Sequence, residues 1–497
     1  MRLAGGPGGE PTIVSIVGVV LLPFIGTRDA ALGLRLTCRE LKQAVTDFPW
    51  EDMRTVIKGS VARWRACFPR ARVAIVSKLV RRAPVVDADF VHFVGLRALI
   101  MSQCTQVTDA AFVHLKGIQE LDMSLCNQPT ITDAAFEHLK GIQKLDMSCC
   151  RQATITDAAF EHLKGIQKLD MSGCNQETIT DAAFEHLKGI RVLDMSYCSQ
   201  VTITDAAFAH LVGIQVLKMH RCNQATITDA AFEHLKGIQE LNMSFCKQAT
   251  ITDAAFEHLK GIQKLDMRSC NQGTITDAAF EHLKGIKELD MVGCNQDTIT
   301  DAAFEHLKGI QRLDMSECNQ ATITNAAFVN FKGIQELNMS FCNQATITDA
   351  AFEYLKGIKT LGMYFCNQTD SAFEHLKGIQ ELDMSECRQV TNAAFVHLKG
   401  IQELDMSNCP QFTITDAAFE HLKGIQRLDI QGCYQDTITD AAFEHLKGIK
   451  VLNMSFCNQA TITDAAVVHL KGIQKLYMRD CSFACIQAAR CAGLPFF

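Results

Sequence analysis

The chain has 497 residues, 47% of them apolar and 21% charged, with only nine prolines, so it can bury a large core and lacks the composition of a disordered chain. Its net charge of −7 is uneven: residues 1–90 carry 14 Lys/Arg against 8 Asp/Glu, and the remainder carries 34 against 47. An acidic body lacks the positive face that phosphate neutralisation requires, which argues against nucleic acid as a partner.

In chain order, the first feature is the apolar run TIVSIVGVVLLPFIG, Thr12 to Gly26. It is shorter than the roughly 20 residues a bilayer-spanning helix needs. Glu10 before it and the lack of an A-x-A site after it argue against a signal peptide, so no membrane contact is expected. Ile16 to Ile25 reads as a short apolar helix ending near Pro23. TRDAALGLRLTCRELKQAVTD, residues 27–47, reads as one helix capped by Thr27, with Leu34, Cys38, Leu41 and Val45 on one stripe. SVARWRACFP then reads as a helix, ARVAIVS as a strand with Val73 and Ile75 inward, and DADFVHFVG as a short helix. Arg63, Arg65, Arg70, Arg72, Arg81 and Arg82 are expected to form a solvated basic face.

From there the chain repeats. Cysteine recurs at 104, 126, 150 and onward to 481, seventeen times, and thirteen of the sixteen intervals are 24 residues. One unit shows the logic. Ile142, Leu145 and Met147 point inward while Asp146 and Ser148 alternate outward, which is strand periodicity. After Cys150 comes a turn, Arg151 to Thr154, and Ile155 turns back in. Thr156 caps a helix with Asp157 in its first turn, Ala159, Phe160 and Leu163 form its apolar stripe, and Gly165 ends it. Neither element can bury its apolar face alone, so neighbouring units must stack. The ladder cysteines are expected to be buried, reduced thiols, which favours a cytoplasmic or nuclear location. His138 and its equivalents are expected on the helical side, away from Asp146 and Ser148, so no catalytic residue is expected. Cys481, Cys485 and Cys491 at the tail lack the spacing of paired C-x-x-C ligands, and neither metal nor cofactor is expected.

The spacing of Ile118, Leu121, Met123, Cys126, Ile131, Thr132, Asp133, Phe136 and Leu139 resembles the leucine-rich repeat, in particular its cysteine-containing subtype. The resemblance implies an α/β leucine-rich repeat solenoid, a horseshoe with an inner parallel sheet and outer helices. At the head, Phe24, Ile25, Arg28, Asp29, Leu32, Leu34, Leu36, Cys38 and Arg39 resemble an F-box, although the usual opening L-P-x-E is replaced by Pro11-Thr12-Ile13 and the aromatic expected after Cys-Arg by Leu41. This divides the chain into a small α-helical F-box-like domain at 1–50, a degenerate first repeat or N-terminal cap at 51–94, repeats at 95–481 and a C-terminal cap at 482–497.

Binding is expected on the concave face. One column there is acidic, with Asp at 122, 146, 170, 194, 266, 290, 314, 383, 405 and 429. The residue before each ladder cysteine varies freely, as in Leu125, Gly173, Tyr197, Arg221, Phe245, Glu317, Phe341, Phe365, Phe456 and Asp480. Two places interrupt the acidic wall: Lys218, His220 and Arg221, flanked by Tyr197 and Phe245, and Gly362, Tyr364 and Phe365. Tyr197, Lys218, His220, Arg221, Phe245, Tyr364 and Phe365 are the candidate partner contacts. The F-box resemblance implies a substrate-recognition subunit of a cullin–RING ubiquitin ligase of SCF type, with Phe24, Ile25, Asp29, Leu32, Leu36 and Arg39 holding a Skp-family adaptor and the repeats holding an unknown protein substrate. The alternatives are a repeat scaffold that binds protein without a ligase role, and a secreted recognition protein.

Overall fold

One coil, Ile142 to Leu163, shows how the sequence builds the fold. The strand Lys144–Asp146 buries Leu145, and Met147 follows it into the core. Thr156 accepts a hydrogen bond at Oγ1 from the Ala158 N–H (3.2 Å), so it caps the α-helical turn Asp157–Phe160. That turn tightens into the 3-10 turn Glu161–Leu163, and Gly165, at φ +87°, redirects the chain toward the next strand. Sequence spacing leads one to expect a single short helix here. A tighter turn replaces its second half because the coil must close within 24 residues. Ala159, Phe160, Leu163, Ile166 and Cys150 are all buried with Leu145 and Met147. Each large apolar side chain buried this way contributes about 1.5–3 kcal/mol.

The computed structural model describes residues 39–48, 50, 54–76, 84–409 and 411–495. They fall into two units, Met1–Lys236 and Gly237–Phe497. In the first, the strands Thr55–Ile57 and Val73–Val76 precede six repeat strands, from Ala98–Ile100 to Val216–Lys218, and all pair in parallel in chain order. The second unit has eleven parallel strands, from Glu240–Asn242 to Lys475–Tyr477, again in chain order. Each unit is thus a solenoid with a parallel sheet on one side and short helical turns on the other. Among the described residues no helix is long and apolar enough to cross a membrane.

The head differs from its sequence reading in two respects, and its first helix is described only in part. Of the helix expected at 27–47, the segment Arg39–Asp47 is described, with Val45 buried. The strand at 73–76 does not alternate as expected: Val73 is buried, but so are Val76 and Ala74, which pairs with the core residue Leu99, while Ile75 is half-exposed. All four of its residues are apolar, so no polar alternation set the phase. Arg65 is not part of a solvated face. Its guanidinium lies 4.8 Å over the Trp64 ring and donates to the carbonyls of His92 (2.6 Å), Ala71 (3.0 Å), Pro69 (3.3 Å) and Val94 (3.3 Å). Arg81 and Arg82 lie outside the described residues. At the other end, the helix Phe483–Cys491 packs on Asp464–Val467, and the Leu476 N–H donates to the Pro495 carbonyl (3.1 Å).

Candidate functional site

Most polar columns of the solenoid are used up in joining one coil to the next. The thiol of Cys150 donates to the Met123 carbonyl (3.3 Å) and that of Cys294 to the Met267 carbonyl (3.1 Å). Burial pushes the Cys126, Cys198 and Cys294 thiols up to about 12, so they stay protonated and unreactive. Gln152 donates from Nε2 to the Cys126 carbonyl (3.1 Å), and Thr154 from Oγ1 to the Ile131 carbonyl (2.8 Å). Asp133, in the first turn of its helix, accepts from both the N–H (2.7 Å) and the Oγ1 (2.8 Å) of Thr156 in the following coil. The glutamine column had a signal in the sequence, a Gln two residues after nearly every ladder cysteine, but that segment reads simply as a turn.

The polar residues of the outer strand positions are spoken for within their own coil. Asp146 accepts at Oδ1 from the N–H (2.9 Å) and Oγ (2.7 Å) of Ser148, closing a local turn. His138 is half-buried in the helical layer between Phe136 and Leu139. No hydrogen bond joins it to Asp146 or Ser148 among the described residues.

The open side of the sheet carries what remains. In the second unit it forms an open groove of about 800 Å³, lined by ten carboxylates and four Lys/Arg. In its first half the cations are paired: Arg268 bridges Asp266 (2.7 Å) and Asp290 (3.3 Å), and Arg312 meets Glu336 (2.7 Å). Burial, reinforced by Asp266, still pushes Asp290 up to about 6. The second half differs. Glu381 pairs in register with Glu403 and Asp383 with Asp405, and no ion pair neutralises these four among the described residues. Burial raises the Asp383 carboxyl, with Asp405 adding to the shift.

The variable residue before each ladder cysteine occupies a distinct backbone position. All seventeen, from Gln103 to Asp480, have φ between +53° and +70°, and only Gly173, Gly293 and Gly432 are glycine. A left-handed conformation costs a non-glycine residue about 1–2 kcal/mol. It is held because the N–H of this residue donates to the next coil: Tyr197 to the His220 carbonyl (2.7 Å), Phe341 to Tyr364 (2.8 Å), Phe365 to Ser385 (3.0 Å). The recurring glycines were the signal for this corner in the sequence.

The predicted contact residues are divided between the two units. In the first unit Tyr197, Lys218, His220 and Arg221 come together. His220 Nε2 is 3.2 Å from Tyr197 Oη, Arg221 lies 5.8 Å over the Tyr197 ring, and Lys218 is 3.7 Å from Asp194. Phe245 belongs to the second unit, where Lys247 lies 5.7 Å over its ring. Also in the second unit, Tyr364 and Phe365 are joined by Phe341, which the sequence reading left out of the contact set. Phe341 is 4.7 Å from Tyr364, edge to face, and 5.9 Å from Phe365. Gly362, in the same coil, lies against Asn338: a Cβ there would lie 2.6 Å from Asn338 Oδ1, so a larger residue would have to displace that side chain. Of the predicted adaptor contacts, Phe24, Ile25, Asp29, Leu32 and Leu36 lie outside the described residues, and Arg39 is exposed on the helical segment Arg39–Asp47.

A parallel sheet backed by helical turns, one strand per coil and one cysteine per corner, defines a leucine-rich repeat solenoid. The chain belongs to the family described as BspA type Leucine rich repeat region, matched in six copies over residues 96–215, 225–359 and 367–482. The head at 1–50, where the sequence resembles an F-box, lies outside the matched residues, and no F-box domain is shown there. No curated protein sequence matches the chain significantly. Among solved structures, it is similar to the Leptospira interrogans leucine-rich repeat protein LIC12759, with 17% identity and a TM-score of 0.60, covering 78% of this chain and 97% of that one. It is similar to the TLR13–ssRNA13 complex, with 15% identity and a TM-score of 0.52, covering 85% of this chain and 80% of that one. The Toll–Spatzle complex of Drosophila gives 14% identity and a TM-score of 0.53, covering 86% of this chain and 57% of that one. These likenesses establish the fold.

Proposed function

We propose that the chain is a non-catalytic binding scaffold that captures a partner protein on the open face of its sheet. The observation that carries this reading is the division of labour among columns. Cysteine, glutamine, threonine and helix-start aspartate side chains are bonded between coils, whereas the left-handed corner carries eleven residue types over its seventeen coils. Aromatic and charged groups gather there as anchors. A photo-crosslinking residue at position 221 or 365 should capture a partner from the native cell extract, and the same residue at Glu137 or Glu281 on the helical layer should not. Equal capture from both layers overturns the reading.

A finer reading adds a ubiquitin-ligase role, with the head at 1–50 docking a Skp-family adaptor and cullin core. It rests on the sequence pattern from Phe24 to Arg39. Co-purification of an adaptor with the full chain, lost on removal of residues 1–50, supports it; no adaptor with either chain rules it out. The hydrogen-bonded thiols favour a cytoplasmic or nuclear setting. Thiol titration of the native chain should then label the exposed Cys491 rapidly and the buried ladder slowly, and all 22 cysteines should react after denaturation. A shortfall after denaturation would point to disulfides and an oxidising compartment.

A further inference from the structure

Two neighbouring observations on the second unit do not explain each other. Glu381 lies beside Glu403 and Asp383 beside Asp405 on adjacent parallel strands. At sheet spacing of about 4.8 Å, like charges in register are unfavourable. Elsewhere in the groove cations relieve such crowding, as Arg268 does between Asp266 and Asp290, but these four carboxylates have no ion-pair partner among the described residues. Immediately before them, Gly362 pairs in register with Asp383, and its coil carries Tyr364 and Phe365. Phe341 is 37% and Phe365 40% exposed, so two large rings face solvent beside carboxylates that outnumber the one cation near them, Arg427, in register with Glu403. The Tyr364 N–H donates to Ser340 Oγ (3.2 Å), and the Ser340 N–H to Asn338 Oδ1 (3.1 Å), tying the aromatic group to the strand face.

We infer that this face binds a positively charged polypeptide segment, with Phe341, Tyr364 and Phe365 receiving a Lys or Arg side chain and the carboxylates of residues 381–405 taking the neighbouring cations. The inference rests on the scaffold reading above and names the chemical class of its partner. Aromatic faces attract cations, most strongly where water is partly excluded. A cationic partner would also offset the repulsion from Asp405, which adds to the effect of burial in raising the Asp383 carboxyl. Uncharged or acidic segments gain nothing from the carboxylates.

The test uses the full chain and a phage-displayed library of random 16-residue peptides, followed by calorimetry with the enriched peptides made synthetically. Two variants probe the site. Asp383→Asn with Asp405→Asn removes charge but keeps the turn acceptor, because Asn242 already accepts from the Ser244 N–H (3.0 Å) at the equivalent position. Phe365→Gly removes a ring where φ is +56°, a conformation glycine adopts freely. Enriched peptides should be rich in Lys and Arg, lose about tenfold in affinity with the double Asn variant, and weaken further with salt. Phe365→Gly should cost about threefold to tenfold while leaving the salt dependence unchanged. Enrichment of neutral or acidic peptides that compete at this face overturns the charge assignment and leaves the scaffold reading standing. Peptides indifferent to both variants and to Lys218→Glu and Arg221→Glu, or no enrichment, overturn both.

Discussion

At the scale of single residues, the left-handed corner and the aspartate column set the sharpest expectations. Glu317, at φ +62°, is exposed at its corner. Glu317→Gly should raise the unfolding free energy by about 0.5 kcal/mol, the relief of strain exceeding the added flexibility of the unfolded chain. Gly293→Val, at φ +66°, should lower it by about 1–2 kcal/mol. Denaturant melts of the two variants check the contrast, and equal effects of one sign would remove strain as the cause. Asp290 carries a pH signature. Its carboxyl is raised from 3.8 to about 6 in the folded chain, so the folded state binds the proton more tightly than the unfolded one. The column therefore costs stability above pH 6, and the cost is relieved as pH falls from 6 toward 4. The melting temperature should be higher at pH 5.5 than at pH 7.5, with Asp290→Asn flattening the difference. Which side chains differ between coils is plain in the sequence. That they differ at a strained φ is not, because fourteen non-glycine residues mask the three glycines that reveal it.

At the scale of elements, the helical turns are fixed as much by the coil that follows as by their own cap. Asp277 accepts from both the N–H and the Oγ1 of Thr300 (2.7 Å each), while Thr276 caps its own turn through the Ala278 N–H (3.2 Å). Asp277→Ala should cost about 1–3 kcal/mol by leaving the Thr300 groups without their acceptor. Asp277→Asn should cost far less, because Asn325 already serves: the Thr348 N–H donates to its Oδ1 (2.8 Å) and its Nδ2 donates to the Thr348 Oγ1 (2.8 Å). Calorimetric melts of both variants decide it; equal losses would show that charge, and not the paired hydrogen bonds, holds the coils. Thr156, Asp157, Phe160 and Gly165 were legible as cap, first turn, core and stop because each has a local reason. The phase of the strand at 73–76 was not, since Val, Ala, Ile and Val fit either face and only the register with Leu99 decides.

At the scale of the whole molecule, the joints between coils are alike. Bonds from Cys294 to Met267, Gln296 to Cys270 and Thr300 to Asp277 recur one unit later from Cys318 to Met291, Gln320 to Cys294 and Thr324 to Asp301. Stability in such an array is a sum of units and nearest-neighbour joints. Excising residues 253–276, one full period, should leave a cooperatively folded chain with a circular dichroism spectrum of unchanged shape. Excising 253–264, half a period, should abolish cooperative melting. A cooperative melt for the half-period deletion would refute the register. The period was legible because cysteine marks it in the sequence. The partner face was only half legible: Tyr364 and Phe365 stand out as interruptions, but Phe341 joins them, and Glu381 meets Glu403, only through the parallel stacking of consecutive coils, one period apart in sequence.

The corner N–H bonds have a consequence for how such a surface diverges. At Tyr197, Phe341 and Phe365 the backbone is pinned by a bond that involves no side chain, so replacing the residue leaves the coil's path intact. Two lineages of this chain that exchange one non-glycine corner residue for another can therefore drift apart in what they recognise while their melting curves remain nearly superimposable, and selection on affinity proceeds without passing through misfolded intermediates.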